Sequence, residues 1–164
     1  MTEIARVLEE RARRFARPVV TSPRGETTDL LVIAVRGERY AVELEFVVEA
    51  AVLRGFIPLP GLPPFVAGVV LNRGRLLALF DLGVLLHLPA ESGAGKAHLV
   101  VIETERFSFG ILADEIHGVV SVMQSEITER KAETLVRAVS PVGAILDVDA
   151  LAADPRIRIE QELP

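Results

Sequence analysis

The chain has 164 residues, of which 50% are hydrophobic, and a formal net charge of −5. This length suits one ordinary domain or two small subdomains that share a core. The absence of cysteine excludes disulfides and thiol chemistry, and an acidic chain with only 5% aromatic residues is poorly suited to nucleic-acid binding.

The first 25 residues differ in charge from the rest. They hold six arginines and three glutamates, a surplus of three positive charges, which leaves a net charge of −8 on the remainder. Apolar residues recur at helical spacing from Ile4 to Phe15, and Pro18 ends the pattern. We predict an amphipathic helix over residues 1–17, either docked on an acidic partner or solvated on its basic side, and a linker over residues 18–28.

Beyond the linker, the pattern changes to short strands separated by turns. Residues 57–64 contain four prolines and are predicted to form an ordered loop, because proline cannot donate the amide hydrogen bond of a central strand. The apolar runs on either side of Asn72-Arg73-Gly74-Arg75 are predicted to pair as a hairpin. The predicted strands lie at residues 30–35, 40–44, 66–71, 76–80, 98–103, 107–113, 119–123 and 142–147.

The other segments are less regular. Residues 47–53 are ambiguous between strand and helix, and the polar segment 126–137 has helical spacing at best. Asp81 is a candidate N-cap for a short helix over residues 82–88. The remaining predictions are a surface loop at 89–96, a short helix at 148–153 and a frayed tail at 154–164.

The order of these elements predicts an all-β fold. Strands at intervals of about ten residues, with turns between them, are typical of a sandwich or barrel. Residues 30–44 and 99–116 share one plan, an apolar strand, a charged turn and a return strand with an aromatic residue. We therefore predict two related small barrels within one domain over residues 29–153.

The most apolar stretch, residues 65–88, is interrupted by Arg73, Arg75 and Asp81. A bilayer core needs about 20 mostly uncharged residues, so we predict buried strands and no membrane insertion. The N-terminus lacks the pattern of a secretory signal. A cytoplasmic protein is the simplest interpretation.

No catalytic constellation is visible. The three histidines, His87, His98 and His117, each lack a second ligand at helical spacing. We expect a non-enzymatic protein without cofactor or metal. A small metal-dependent hydrolase, with a three-histidine site assembled by the fold, remains open as an alternative.

The segment over residues 57–82 resembles the central signature of CheW-like domains, in which a proline-containing loop precedes a glycine-valine step, an Arg-Gly hairpin and a strand ending in Asp-Leu. Weaker similarity extends over residues 29–152. The positions that match the signature are Pro60, Pro63, Phe65, Val66, Gly68, Val69, Arg73, Gly74, Asp81 and Leu82.

The resemblance implies two intertwined SH3-like barrels without catalytic activity, and it implies two protein partners. One is the cytoplasmic hairpin tip of a chemoreceptor, bound in a groove between the barrels. The other is the regulatory domain of a CheA-type histidine kinase. An alternative with the same fold is a detached regulatory domain of such a kinase.

The resemblance also assigns roles to individual residues. It places Val47, Glu49, Arg73 and Gly68 on the receptor-binding side. For Arg73, a scaffold role that joins the barrels is equally open. Gly74 and Asp81 are assigned to the turn and to the end of the strand, and both glycines serve backbone geometry.

The chain departs from the family pattern in three places. The usual Asn-Leu before the arginine is inverted to Leu71-Asn72, which either exchanges the inward and outward side chains or shifts the hairpin by one residue. Ala78 replaces a usual proline. Residues 125–142 are shorter than usual, so we expect part of one barrel to be reduced and coupling to the kinase to be weakened.

Overall fold

The computed structural model describes residues 26–89, 97–130 and 135–154. The described part is built from eleven strands and two short helices. Their bounds are β1 Thr27–Val35, β2 Glu38–Glu43, β3 Val47–Val52, β4 Val66–Asn72, β5 Arg75–Phe80, α1 Leu82–Leu85, β6 His98–Glu103, β7 Ser108–Ala113, β8 Glu115–Met123, β9 Thr128–Glu129, β10 Val136–Ser140, β11 Gly143–Leu146 and α2 Val148–Ala153.

The strands form two sheets, and the chain crosses between them twice. A six-stranded sheet has the order β8-β1-β2-β11-β10-β9, and a five-stranded sheet has the order β3-β6-β7-β5-β4. The chain leaves the first sheet after β2, completes the second with β3 to β7, and returns with β8. This confirms the predicted all-β fold of two intertwined subdomains.

Each subdomain has a small core of its own, and the two share a larger one. Strand β6 shows how: Leu99 and Val101 pack in the small core of the five-stranded subdomain, whereas Val100 and Ile102 pack in the shared core. Alternate strand residues point to opposite faces. The continuous apolar runs in the sequence therefore belong to strands that are buried on both faces.

Two hairpins close with two-residue turns, Arg36-Gly37 and Arg73-Gly74. All four residues have positive φ, at 50° and 80° in the first turn and 51° and 79° in the second. Positive φ at both central residues is the type I′ geometry, which matches the twist of the flanking strands. The predicted hairpin is confirmed, with Arg73 in the left-handed conformation.

Several boundaries differ from the predictions. Strand β1 begins at Thr27, inside the predicted linker, and the ambiguous segment 47–53 contains strand β3, Val47–Val52. Helix α1 ends at Leu85 rather than at residue 88. The predicted helix over residues 1–17 lies outside the described residues, as do most of the loop at 89–96 and most of the tail at 154–164.

The expectation of helical spacing at best for the polar segment 126–137 was wrong for the part that the structure describes. The segment contributes β9 and the start of β10, which pairs with both β9 and β11. Ala138 is fully buried in the small core of the six-stranded subdomain, and Arg137 forms a 2.7 Å ion pair with Glu43. Tertiary contacts thus override the weak local pattern. Strand β9 has two residues.

Helix α2 depends on its cap. The side chain of Asp147 accepts a hydrogen bond of 2.9 Å from the main-chain nitrogen of Ala150. We expect Asp147→Ala to lower the free energy of unfolding by about 1 kcal/mol, the usual value of an N-cap. The exposed Asp149 is the matched control, and its replacement by alanine should cost about 0.5 kcal/mol or less. Equal losses in urea unfolding would contradict the capping role.

Candidate functional site

Glu49 lies on β3, an edge strand of the five-stranded sheet. A β-bulge between Val47 and Glu49 re-aims this part of β3 and places Glu49 opposite Val101 of β6. Residues directly opposite each other share a face, and Val101 belongs to the small core of this subdomain. The carboxylate therefore points inward, and the residue is only 2% exposed.

Arg73 reaches this carboxylate from the tip of the β4–β5 hairpin. Its Nη2 lies 3.5 Å from Oε1 of Glu49. The side chain of Arg73 is 48% exposed, whereas that of Glu49 is 3% exposed. Because β3 and β4 are the two edge strands of their sheet, this ion pair joins those edges and closes the subdomain.

The second carboxylate oxygen of Glu49, Oε2, is buried without a hydrogen-bond partner. A buried charge with incomplete hydrogen bonding is costly unless its counter-charge stays in place. Glu49 is also the one fully buried charged residue among residues 26–89, 97–130 and 135–154. Arg73 and Glu49 both belong to the five-stranded sheet, so this ion pair joins two edges of one subdomain and not the two subdomains, as the scaffold alternative had supposed. About half of the Arg73 side chain remains exposed.

A shallow depression of about 80 Å³ lies beside the ion pair. It is lined by Val48 of β3, by Arg73 and Arg75 of the hairpin, and by Glu103 at the end of β6. Val48 is 47% exposed. The depression thus combines an apolar floor with charges of both signs, which suits contact with a protein surface better than binding of a small ligand.

Gly68 is buried in the structure, whereas the resemblance had placed it on the receptor-binding side. It occupies a bulge of β4 with a φ of 151°, and a Cβ atom there would lie 2.2 Å from the carbonyl oxygen of Ile57. Hydrogen bonds of 2.8 and 2.9 Å join Ile57 to Val69. Gly68 allows the proline-rich loop to pack directly on β4.

Val47 packs against the shared core on the face opposite to Glu49. The same side of the molecule carries a feature that the sequence-based predictions missed. Leu71 and Leu76, the hairpin leucine pair, lie opposite each other across β4 and β5, and each is 66% exposed. They continue the face of β5 on which Ala78 and Phe80 pack in the shared core.

The inverted Leu71-Asn72 dipeptide was the available signal for this pair. The hairpin keeps its regular pairing, with Leu71 opposite Leu76 and Asn72 opposite Arg75. With this pairing, Leu71 faces outward and Asn72 points to the opposite face of the hairpin. Large apolar side chains at such exposure, extending the face of a core, indicate a contact surface.

Gly74 lies in the turn of this hairpin, and Asp81 follows its second strand. Gly74 completes the type I′ turn with a φ of 79°. Asp81 precedes α1, where its Oδ1 accepts a 3.3 Å hydrogen bond from the main-chain nitrogen of Val84. Asp81 also lies 3.5 Å from Nη2 of Arg36.

A second, larger groove of about 510 Å³ lies at the start of β1 and the end of β2. Asp29, Glu43 and Glu45 make it acidic, and Thr28 and Gln124 complete its wall. Burial raises the pKa of Glu43, while its ion pair with Arg137 opposes the rise. None of the predicted receptor-side residues lines this groove.

The three histidines do not meet. Within the described residues, no group of three or more histidine and carboxylate side chains is arranged to hold a metal ion. His98 bonds through Nδ1 to the carbonyl oxygen of Asp114, and His117 lies 3.5 Å from Glu115. The metal-dependent hydrolase alternative therefore has no supporting geometry. No helix in these residues is long and apolar enough to cross a membrane.

The family model of the CheW-like domain matches residues 29–156. The chain belongs to the CheW-like domain family. The chemotaxis protein CheW of Bacillus subtilis (strain 168) is 25% identical over 132 residues, which cover 74% of this chain and 85% of the relative. The resemblance inferred from residues 57–82 is thereby confirmed.

The fold is similar to that of a solved CheW. The crystal structure of the scaffolding protein TtCheW from Thermoanaerobacter tengcongensis aligns with a TM-score of 0.66 at 17% identity, covering 74% of this chain and 88% of that chain. This similarity confirms the fold of two SH3-like subdomains. With the chemotaxis relative, CheW-like family membership supports a scaffolding or adaptor role in chemotaxis.

Proposed function

We propose that this protein is a cytoplasmic, non-catalytic adaptor that couples the hairpin tip of a chemoreceptor to a CheA-type histidine kinase. The observation that carries the proposal is the Glu49–Arg73 ion pair, which joins the two edges of the five-stranded sheet. Exposed apolar side chains, those of Val48, Leu71 and Leu76, lie on β3, β4 and β5. The pair holds a rigid, partly charged surface in place. Such a surface binds a partner protein and catalyses no reaction.

The surface fits a helical partner. An amphipathic helix binds by laying its apolar side chains into an apolar groove, with polar contacts at the rim. Leu71 and Leu76 supply the apolar contact on one face of the hairpin, Arg73 supplies positive charge at its tip, and Arg75 lies on the opposite face. A helical hairpin tip with apolar and acidic side chains has the matching chemistry.

We also propose that coupling to the kinase regulatory domain is weaker than in family members of usual length. The support is the short edge of the six-stranded sheet, where β9 contributes two residues. A short edge strand offers little main-chain surface to a partner of the same fold. The receptor side, on the other sheet, is not affected by this shortening.

Separate titrations against the receptor hairpin tip and the kinase regulatory domain test the proposal. We expect binding to the receptor tip and weaker binding to the regulatory domain. An adaptor must also hold both at once, so a ternary complex should form in analytical ultracentrifugation. Failure to bind the receptor tip would overturn the adaptor role. Kinase binding as tight as that of a family member of usual length would overturn only the proposed weakening.

The hairpin leucine pair provides a mutational test. We expect Leu71→Thr together with Leu76→Thr to weaken receptor-tip binding about tenfold or more, because buried apolar anchors carry much of the energy of such interfaces. Threonine suits a strand, so the free energy of unfolding should change by about 0.5 kcal/mol or less. Met123→Thr, on the other sheet and 37% exposed, is the control. Equal binding by both variants would exclude the pair from the interface.

A further inference from the structure

Arg36 makes three hydrogen bonds that span the junction of the two subdomains. Its Nη1 donates to the carbonyl oxygen of Leu88 at 2.7 Å, and its Nη2 lies 3.5 Å from Oδ2 of Asp81. Its main-chain nitrogen donates to Oδ2 of Asp114 at 2.6 Å. The side chain is only 20% exposed, so its contacts with Leu88 and Asp81 are partly shielded from water, whereas the main-chain hydrogen bond to Asp114 is exposed.

The partners of Arg36 belong to other parts of the fold. Arg36 is in the β1–β2 turn of the six-stranded sheet. Asp81 and Leu88 lie on either side of α1, which lies between β5 and β6 of the five-stranded sheet and packs against β7. Asp114 joins β7 to β8, where the chain returns to the first sheet. One guanidinium thus ties a turn of one subdomain to both ends of the α1 segment of the other.

Gly83 makes room for this guanidinium. A Cβ atom at position 83 would lie 2.4 Å from Nε of Arg36 and 2.7 Å from its Cδ. Gly83 is inside α1, where glycine is about 1 kcal/mol less favourable than alanine, and its backbone needs no positive φ. An alanine at this position would therefore require the Arg36 side chain to move.

We propose that Arg36 and Gly83 form a clasp that sets the orientation of the two subdomains. The guanidinium fork fixes direction as well as distance, because its donors lie in one plane and satisfy two acceptors at once. If the adaptor role proposed above holds, the clasp also shapes the receptor surface, since Val47 packs against the shared core and the hairpin leucine pair extends the face of β5 that packs there.

A double-mutant cycle tests the contact itself. We expect Arg36→Ala and Gly83→Ala each to lower the midpoint of thermal unfolding by about 4 °C. In a chain of this size, the loss of one such contact shifts the midpoint by about that much. The double variant should be no less stable than Arg36→Ala alone, because without the guanidinium the added methyl group has space and favours the helix. Additive losses would overturn the clasp.

A distance measurement tests the orientation without any partner. The chain contains no cysteine, so spin labels can be attached to Ser125→Cys and Glu105→Cys, two exposed positions on different subdomains. Double electron–electron resonance should show a shifted or broader distance distribution after Arg36→Ala. The control is Arg39→Ala, which removes an exposed arginine from the same hairpin and should leave the distribution unchanged.

The outcomes separate the clasp from the adaptor role. An unchanged distribution after Arg36→Ala would overturn the clasp, even if the midpoint falls. A changed distribution with unaltered receptor binding would leave the clasp standing and remove its proposed influence on the receptor surface. We expect Arg36→Ala to weaken the affinity for the receptor tip about fivefold, which corresponds to roughly 1 kcal/mol. Arg39→Ala should leave this affinity unchanged.

Discussion

Gly68→Ala is expected to lower the free energy of unfolding by about 3 kcal/mol, the largest effect among the substitutions proposed for this protein. The added Cβ would meet the carbonyl oxygen of Ile57 at 2.2 Å and Cα of Pro58 at 2.9 Å. These are backbone atoms, so no side-chain rotation relieves the clash. The proline-rich loop would have to move away from β4 and lose both hydrogen bonds between Ile57 and Val69.

Gly61→Ala is the matched control for this prediction. Gly61 is in the same loop with a φ of 83°, but no atom lies within 4 Å of the position that an added Cβ would take. Alanine at position 61 therefore has the conformational cost of a positive φ, about 1 kcal/mol, without a steric clash. Urea unfolding of both variants separates the two effects. Equal losses would show that Gly68 matters only for its φ and not for the packing of the loop.

Arg73→Ala is expected to lower the free energy of unfolding by about 2 kcal/mol. Removing one partner of a buried ion pair commonly costs about 3–5 kcal/mol, because the remaining charge is left uncompensated. The loss here should be smaller, since Arg73 is half-exposed and its Nη2 is 3.5 Å from the carboxylate. Arg75→Ala, in the same hairpin and exposed, should change stability by about 0.5 kcal/mol or less.

The double variant Arg73→Ala with Glu49→Gln separates the scaffold role of Arg73 from its contact role. A neutral amide is less costly to bury than an unpaired carboxylate, so the free energy of unfolding should largely recover. We expect receptor binding to stay weak, because the exposed half of the guanidinium is still missing. Recovery of both stability and binding would show that Arg73 acts only as a scaffold.

The hairpins and their order were predictable because they depend on local patterns. The type I′ turn at Arg73-Gly74 and the loop around Pro58 and Pro60 follow from backbone preferences of single residues. The segment 126–137 was misassigned because its pattern is weak. Its strands exist through pairing with β11 and through the burial of Ala138, neither of which is encoded within the segment.

The candidate site was predicted in part. The family resemblance named Glu49 and Arg73 separately, and only the fold brings them together from positions 24 residues apart. The bulge in β3 is the reason Glu49 faces inward, and a one-residue irregularity of this kind reverses the face of a side chain without a clear sequence signal. The exposure of Leu71 and Leu76 was left undecided by the inverted dipeptide.

By itself, the sequence determined that the protein is all-β, that it has the hairpin around Arg73-Gly74, and that it is similar to the CheW-like family. These properties depend on periodicity, turn residues and a short motif, which act over a few neighbouring residues. The tertiary structure alone decided that Arg73 pairs with Glu49, that Arg36 contacts the α1 segment, and that the leucine pair is exposed. Such contacts depend on the register and packing of strands that are distant in the chain.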